Sequence, residues 1–159
     1  MAVDRRDSLF EMLVVGGLVT LHFTFHRFFA QWSIAPNLLL GGLLLAALWL
    51  RAGHAALLGF LLGILESAMG LEGMGTISLV LTLLGYVAAR SRDLLFADAR
   101  YYTAVYLFFG TWAGEIGLMA AAPGGMSLGG ALLLAPISAL GTAIVCGSVE
   151  SLAAAVRRY

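Results

Sequence analysis

The chain has 159 residues, of which 61% are hydrophobic and 11% charged, and its formal net charge is zero. A soluble domain of this length is about half apolar and about a quarter charged, so with a mean hydropathy of +0.96 lipid has to be part of this chain's solvent. The balanced charge points to no nucleic acid and no acidic substrate, and a lone cysteine, Cys146, excludes an internal disulfide.

A helix that crosses a bilayer needs about 20 mostly apolar residues. On that measure the sequence predicts an all-α integral membrane protein, a single domain over residues 1–159 with about six transmembrane helices in one bundle. The spans fall at about residues 9–31, 36–50, 54–70, 75–89, 101–122 and 128–156. The second to fourth are short and need a locally thinned bilayer or help from flanking residues. The second and third could instead form one hairpin dipping into the membrane. Pro36 suits a helix start, where its missing N–H costs nothing. Pro123, Gly124 and Gly125 mark the turn before the sixth span. Pro136, inside that span, should kink it or split it in two.

The basic residues, all Arg, test this map. Arg5 and Arg6 precede the first helix, and Arg51 lies between the second and third. Arg90, Arg92 and Arg100 lie between the fourth and fifth, and Arg157 and Arg158 follow the sixth. Only Arg27 falls on the other side. Cytoplasmic loops carry the excess of Arg, so both termini should be cytoplasmic. His22, His26 and Arg27 follow the apolar part of the first helix with no small-residue cleavage site, which argues against a signal peptide. Trp32, Trp49, Tyr86, Tyr101 and Tyr102 sit near predicted segment ends, where amphipathic rings prefer the interface; Trp112 does not, and should pack between helices.

Ionisable groups inside membrane spans carry a functional hypothesis by default. Glu66, Glu115 and Glu150 qualify. At about 1.5 Å of rise per residue, Glu66 and Glu115 each lie about 20 Å from the cytoplasmic starts of their helices. Glu66 follows Gly59 and Gly63, and Glu115 adjoins Gly110 and Gly114; this spacing lets helix backbones approach closely. Three readings stand for these two acids: hydrogen bonding at the outer end of the bundle, a polar contact that organises a protein–protein surface, or an ion or substrate site. Glu150 should line the inner half of the sixth helix in a structural role. His22 and His26 share a helix face, but a metal site needs more ligands, so no metal and no other cofactor is expected. No GxSxG, HExxH or convergent Ser/His/Asp set occurs, so no catalytic residue is expected and the chain reads as a non-enzyme.

The run Pro36, Asn37, Leu38, then Gly59 to Gly63 and on to Glu66, then Gly75, then Tyr86 resembles the MreD family, the small membrane subunit of the bacterial cell-shape complex. That family shows Pro and a short polar residue opening helix two, a Gly-rich third helix ending in an acid, a later Gly, and a Tyr closing helix four. Glu115 falls where the family often has a further acid. The resemblance covers roughly residues 36–120, with one departure: Glu66 stands where Asp is usual. It implies a multi-pass protein of the bacterial inner membrane that binds MreC, within an elongation complex that also holds RodA and a class B penicillin-binding protein and builds lateral-wall peptidoglycan. It also implies a fold resembling the substrate-binding subunits of energy-coupling-factor transporters. The faces around Gly59, Gly63 and Glu66 and around Gly110, Gly114 and Glu115 should then hold a partner helix or shape the bundle that does. The alternative is a substrate-binding subunit of a vitamin or metal transporter, with a pocket built from Glu66, Glu72, Trp112 and Glu115.

Overall fold

A computed structural model describes residues 5–29, 36–70, 74–94, 100–121 and 128–156. These form α1 (Arg5–Phe29), α2 (Leu38–Trp49), α3 (Ala52–Gly70), α4 (Met74–Leu94), α5 (Arg100–Ala121) and α6 (Leu128–Val156), with no strand among the described residues.

α2 is the axis of the fold. It packs against all the other helices, and every residue from Leu38 to Ala47 is buried. Its sequence explains this: leucine, alanine and glycine occupy every side, and a helix that is apolar all round belongs inside. Gly41 and Gly42 bring neighbours close. A Cβ at Gly41 would run into Cys146 Sγ and Thr142 Cγ2 on α6, while one at Gly42 would touch Leu18 and Val19 on α1. Apolar burial drives little helix association in lipid, so close packing and polar contacts have to hold such a bundle.

Both ends of α2 are tied to other helices. Asn37 is the N-cap: its Oδ1 accepts from the Leu40 amide at 3.2 Å, and its own N–H donates to Thr142 Oγ1 of α6 at 2.9 Å. At the other end, Arg92 Nη1 of α4 donates to the Leu48 carbonyl at 2.5 Å. Side-chain acceptors suit the exposed amides of a helix start and cations suit the carbonyls of its end.

The most extensive helix pair is α3 with α4, followed by α5 with α6. Glycine makes the first possible. A Cβ on Gly59 would collide with the Leu81 carbonyl, one on Gly63 with the Ser78 backbone, and one on Gly85 with the Ala55 carbonyl. Two backbones in contact along several turns leave no room for side chains between them.

The outside of the bundle is apolar. Leu57, Leu61, Ile64 and Leu65 on α3, Leu79, Leu83 and Val87 on α4, and Ile144 and Leu152 on α6 are all exposed. Such continuous apolar surface is foreign to soluble monomers. Among the described residues, Ala135–Ala153 is the one segment long and apolar enough to cross a membrane by length and composition; Met12–Thr24, Leu38–Trp49 and Ala52–Ala68 are shorter apolar helices.

Several boundaries move from their sequence expectation. α2 starts at Leu38 rather than Pro36, because Asn37 caps it and Pro36 stands one residue outside. α4 runs to Leu94 rather than residue 89; Arg90 and Arg92 therefore belong to a helix and not to a loop, and Tyr86 stands two turns before the helix end. The reason is the Arg92 contact, which holds the last turn of α4 against α2. α6 continues unbroken through Pro136, so it is one helix and not two. Trp32, Glu72, Pro123, Gly124, Gly125, Arg157 and Arg158 lie outside the described residues, as do the side chains of Arg5, Arg6, His26, Arg27, Arg100, Tyr101 and Tyr102.

Candidate functional site

Among the described residues, two of the glutamates singled out by the sequence, Glu66 and Glu115, each make a polar contact between helices. The first joins α1 to α3. His22 Nε2 and Glu66 Oε2 approach to 3.5 Å. The ring of His22 also meets Phe23 edge-on. The structure thus places a histidine beside Glu66.

The second contact is a relay through three helices. Ser138 Oγ on α6 donates to Glu115 Oε1 on α5 at 2.5 Å. One turn on, Thr142 Oγ1 donates to the Ser138 carbonyl at 3.0 Å and accepts from the Asn37 N–H at the start of α2. Ser138, Thr142 and Glu115 are all buried. The relay thus joins the head of the central helix to the α5–α6 pair. Glu66 and Glu115 do not share a site: each serves a different pair of helices.

The glycines beside these acids face inward. Gly59 and Gly63 rest on the backbone of α4, Gly110 lies against Leu44, and Gly114 lies against Leu40 and Leu84. All four are occupied by packing within the chain. Gly75 and Tyr86 behave differently. A Cβ on Gly75 would meet nothing within 4 Å, and Tyr86 is 49% exposed. Both line an open apolar groove of about 460 Å³ on the α3–α4 face, with Ala56, Phe60, Leu79, Thr82 and Leu83. A second apolar groove of about 330 Å³ separates α1 from α3, floored by Ala46 and Trp49 of α2 and the C-cap residue Leu50.

Among the described residues no three of His, Cys, Asp and Glu gather in a group that could hold a metal ion. Glu150 is partly buried on α6, and Cys146 is buried under Gly41.

The family model for rod shape-determining protein MreD matches residues 7–122, well over half of the chain. The chain belongs to the MreD family. No curated protein and no solved structure matches it.

Membership makes the chain a rod shape-determining membrane protein, and the matched stretch covers α1 through α5. Within it, the residues that carried the MreD resemblance divide by task. Pro36 and Asn37 start and cap the central helix, Gly59 and Gly63 seat α3 on α4, and Glu66 and Glu115 make the two interior polar contacts. Gly75 and Tyr86 have no such packing duty. Sequence reasoning did not single out Ser138, Thr142 or Arg92 as contact residues. Ser138 and Thr142 stand one turn apart in the apolar run of α6, a polar pair that could have flagged the face turned toward Glu115.

Proposed function

We propose that this MreD-family chain is a non-catalytic, multi-pass subunit of the bacterial cell-shape and elongation complex. It lies in the cytoplasmic membrane with both termini in the cytoplasm. There it binds MreC and, alongside RodA and a class B penicillin-binding protein, supports lateral-wall peptidoglycan synthesis. The observation that carries this reading is the MreD match over residues 7–122. Three further features support it. The apolar exterior suits lipid on all sides. Arg positions alternate in the way that positive residues favour the cytoplasmic side. The His22–Glu66 and Ser138–Glu115 contacts join helices to one another, which suits a scaffold. We keep the six-helix arrangement of energy-coupling-factor substrate-binding subunits as part of the proposal.

In this reading Gly59, Gly63, Gly110 and Gly114, with Glu66 and Glu115, shape the bundle that meets the partner. The transmembrane helix of MreC seats in the α3–α4 groove. Gly75 and Tyr86 carry the family pattern, yet Gly75 faces open space and Tyr86 is half exposed. A small residue facing open space admits a partner backbone, and an aromatic ring at the other end of the groove gives it an edge.

The test is purification of the tagged chain from its native membrane in mild detergent, with mass spectrometry of what accompanies it. Recovery of MreC with RodA or a penicillin-binding protein is the expected result. Recovery of a transporter scaffold with its ATPases overturns the proposal.

A further inference from the structure

Three polar atoms on one turn of α5 are sealed from solvent and have no hydrogen-bonding partner among the described residues: Thr111 Oγ1, Trp112 Nε1 and Glu115 Oε2. Thr111 is 0% exposed and Glu115 7%. Buried polar atoms in folded proteins almost always find partners. The case of Thr111 is sharper still, because a helical hydroxyl has an easy partner in its own helix. Thr20, Thr82 and Thr142 each return theirs to the carbonyl four residues back; Thr111 does not. Thr111 and Glu115 stand one above the other on the helix, with Trp112 three residues from Glu115 on the adjoining face.

The needs of the three atoms are complementary. The Trp112 indole is a donor only, the Glu115 oxygen can accept, and the Thr111 hydroxyl can do both. We propose that this turn of α5 holds one ordered water molecule that accepts from Trp112 Nε1, donates to Glu115 Oε2, and shares its remaining hydrogen bond with Thr111 Oγ1. Three bonds to otherwise unsatisfied groups is the usual complement of an internal water. The water completes the polar relay on its α5 side, so that the chain of bonds runs from Asn37 through Thr142, Ser138 and Glu115 to Thr111.

The test uses the full chain in detergent, with Thr111→Val and Trp112→Phe as variants of nearly unchanged shape. If water is bound, each variant removes a bond and lowers the melting temperature, and each effect shrinks when Glu115 is already replaced by Gln. If the site is dry, Thr111→Val relieves an unsatisfied hydroxyl, and a melting temperature that holds or rises overturns the proposal. Replacing sodium and potassium by choline separates water from a bound cation: an unchanged melting temperature is expected, and saturable stabilisation by either metal ion assigns the site to that ion instead. Should a variant fail to fold, a high-resolution structure of the unmodified chain decides: a solvent peak within hydrogen-bonding distance of Thr111 Oγ1 and Glu115 Oε2 is expected, and its absence overturns the proposal.

Discussion

Arg92, near the end of α4, donates from Nη1 to the carbonyl of Leu48, in the last turn of α2. The guanidinium thus brings a cation to the carbonyl end of α2, which has no basic residue of its own in its last turn. A hydrogen bond from a charged group contributes about 1.5–3 kcal/mol. Arg92→Ala should lower stability by about that amount, and Arg92→Lys by less, because a lysine keeps the charge but not the planar fork. Thermal unfolding of the two variants in the same detergent checks this; equal melting temperatures for Arg92→Ala and the parent would refute it.

The opposite end of α2 gives a second prediction. Loss of an N-cap side chain costs about 0.5–2 kcal/mol, so Asn37→Ala should destabilise while Asn37→Ser, which keeps a capping oxygen, should retain most of the stability. Thr142→Val should be at least as harmful as Asn37→Ala. It leaves the Asn37 N–H without its acceptor inside the bundle, at about 1–3 kcal/mol. Denaturation midpoints for the three variants rank them.

Gly63 and Gly75 make a matched pair. Gly63→Ala forces a methyl into the Ser78 backbone; overpacking of this kind costs about 1–3 kcal/mol, and the α3–α4 pair cannot yield without separating. Gly75→Ala meets open space, so its stability should stay within about 0.5 kcal/mol of the parent. A stability assay that fails to separate the two would contradict the packing described for α3 on α4.

His22 and Glu66 should behave as a pair. His22→Ala and Glu66→Ala each break the same contact, so the double variant should be less destabilised than the sum of the singles by about 0.5–3 kcal/mol, the range for residues in direct contact. Strict additivity across this cycle would mean that the two side chains contribute independently.

Tyr86→Ala separates folding from partnership. Half exposed in the α3–α4 groove, Tyr86 can be truncated with little loss of stability, while co-purification of MreC should fall. Full retention of MreC would remove the groove as the proposed seat.

Helix number and order could be read from the sequence because in a chain this apolar the interruptions are sharp. Asn37, Arg51, the Arg90–Arg92 segment and the Pro123 turn each break an unmistakable run. Apolar runs, however, mark where lipid or protein is tolerated, and they do not say which of the two a helix meets. α2 and α3 look alike in composition, yet α2 is enclosed and α3 carries Leu57, Leu61 and Ile64 outward. The glutamates were visible as anomalies, but their partners were not. His22 and Ser138 are distant in sequence from the acids they meet, and nothing local marks a pairing between helices. The end of α4 was missed for a related reason: charge suggested a loop at Arg90–Arg92, whereas arginine is a good helix former and Arg92 has a carbonyl to reach.

The enclosure of α2 also bears on how the protein is made. Synthesis delivers it second, before four of the helices that wall it in, and domains assemble from the N-terminus onward as the chain emerges. Until α4 supplies Arg92 and α6 supplies Thr142, this short helix lacks the cation at its carbonyl end and has a cap that is only half secured. Its final seat is therefore completed from the C-terminal side. A nascent chain interrupted before α6 carries an unfinished axis, its Asn37 N–H still without the Thr142 acceptor.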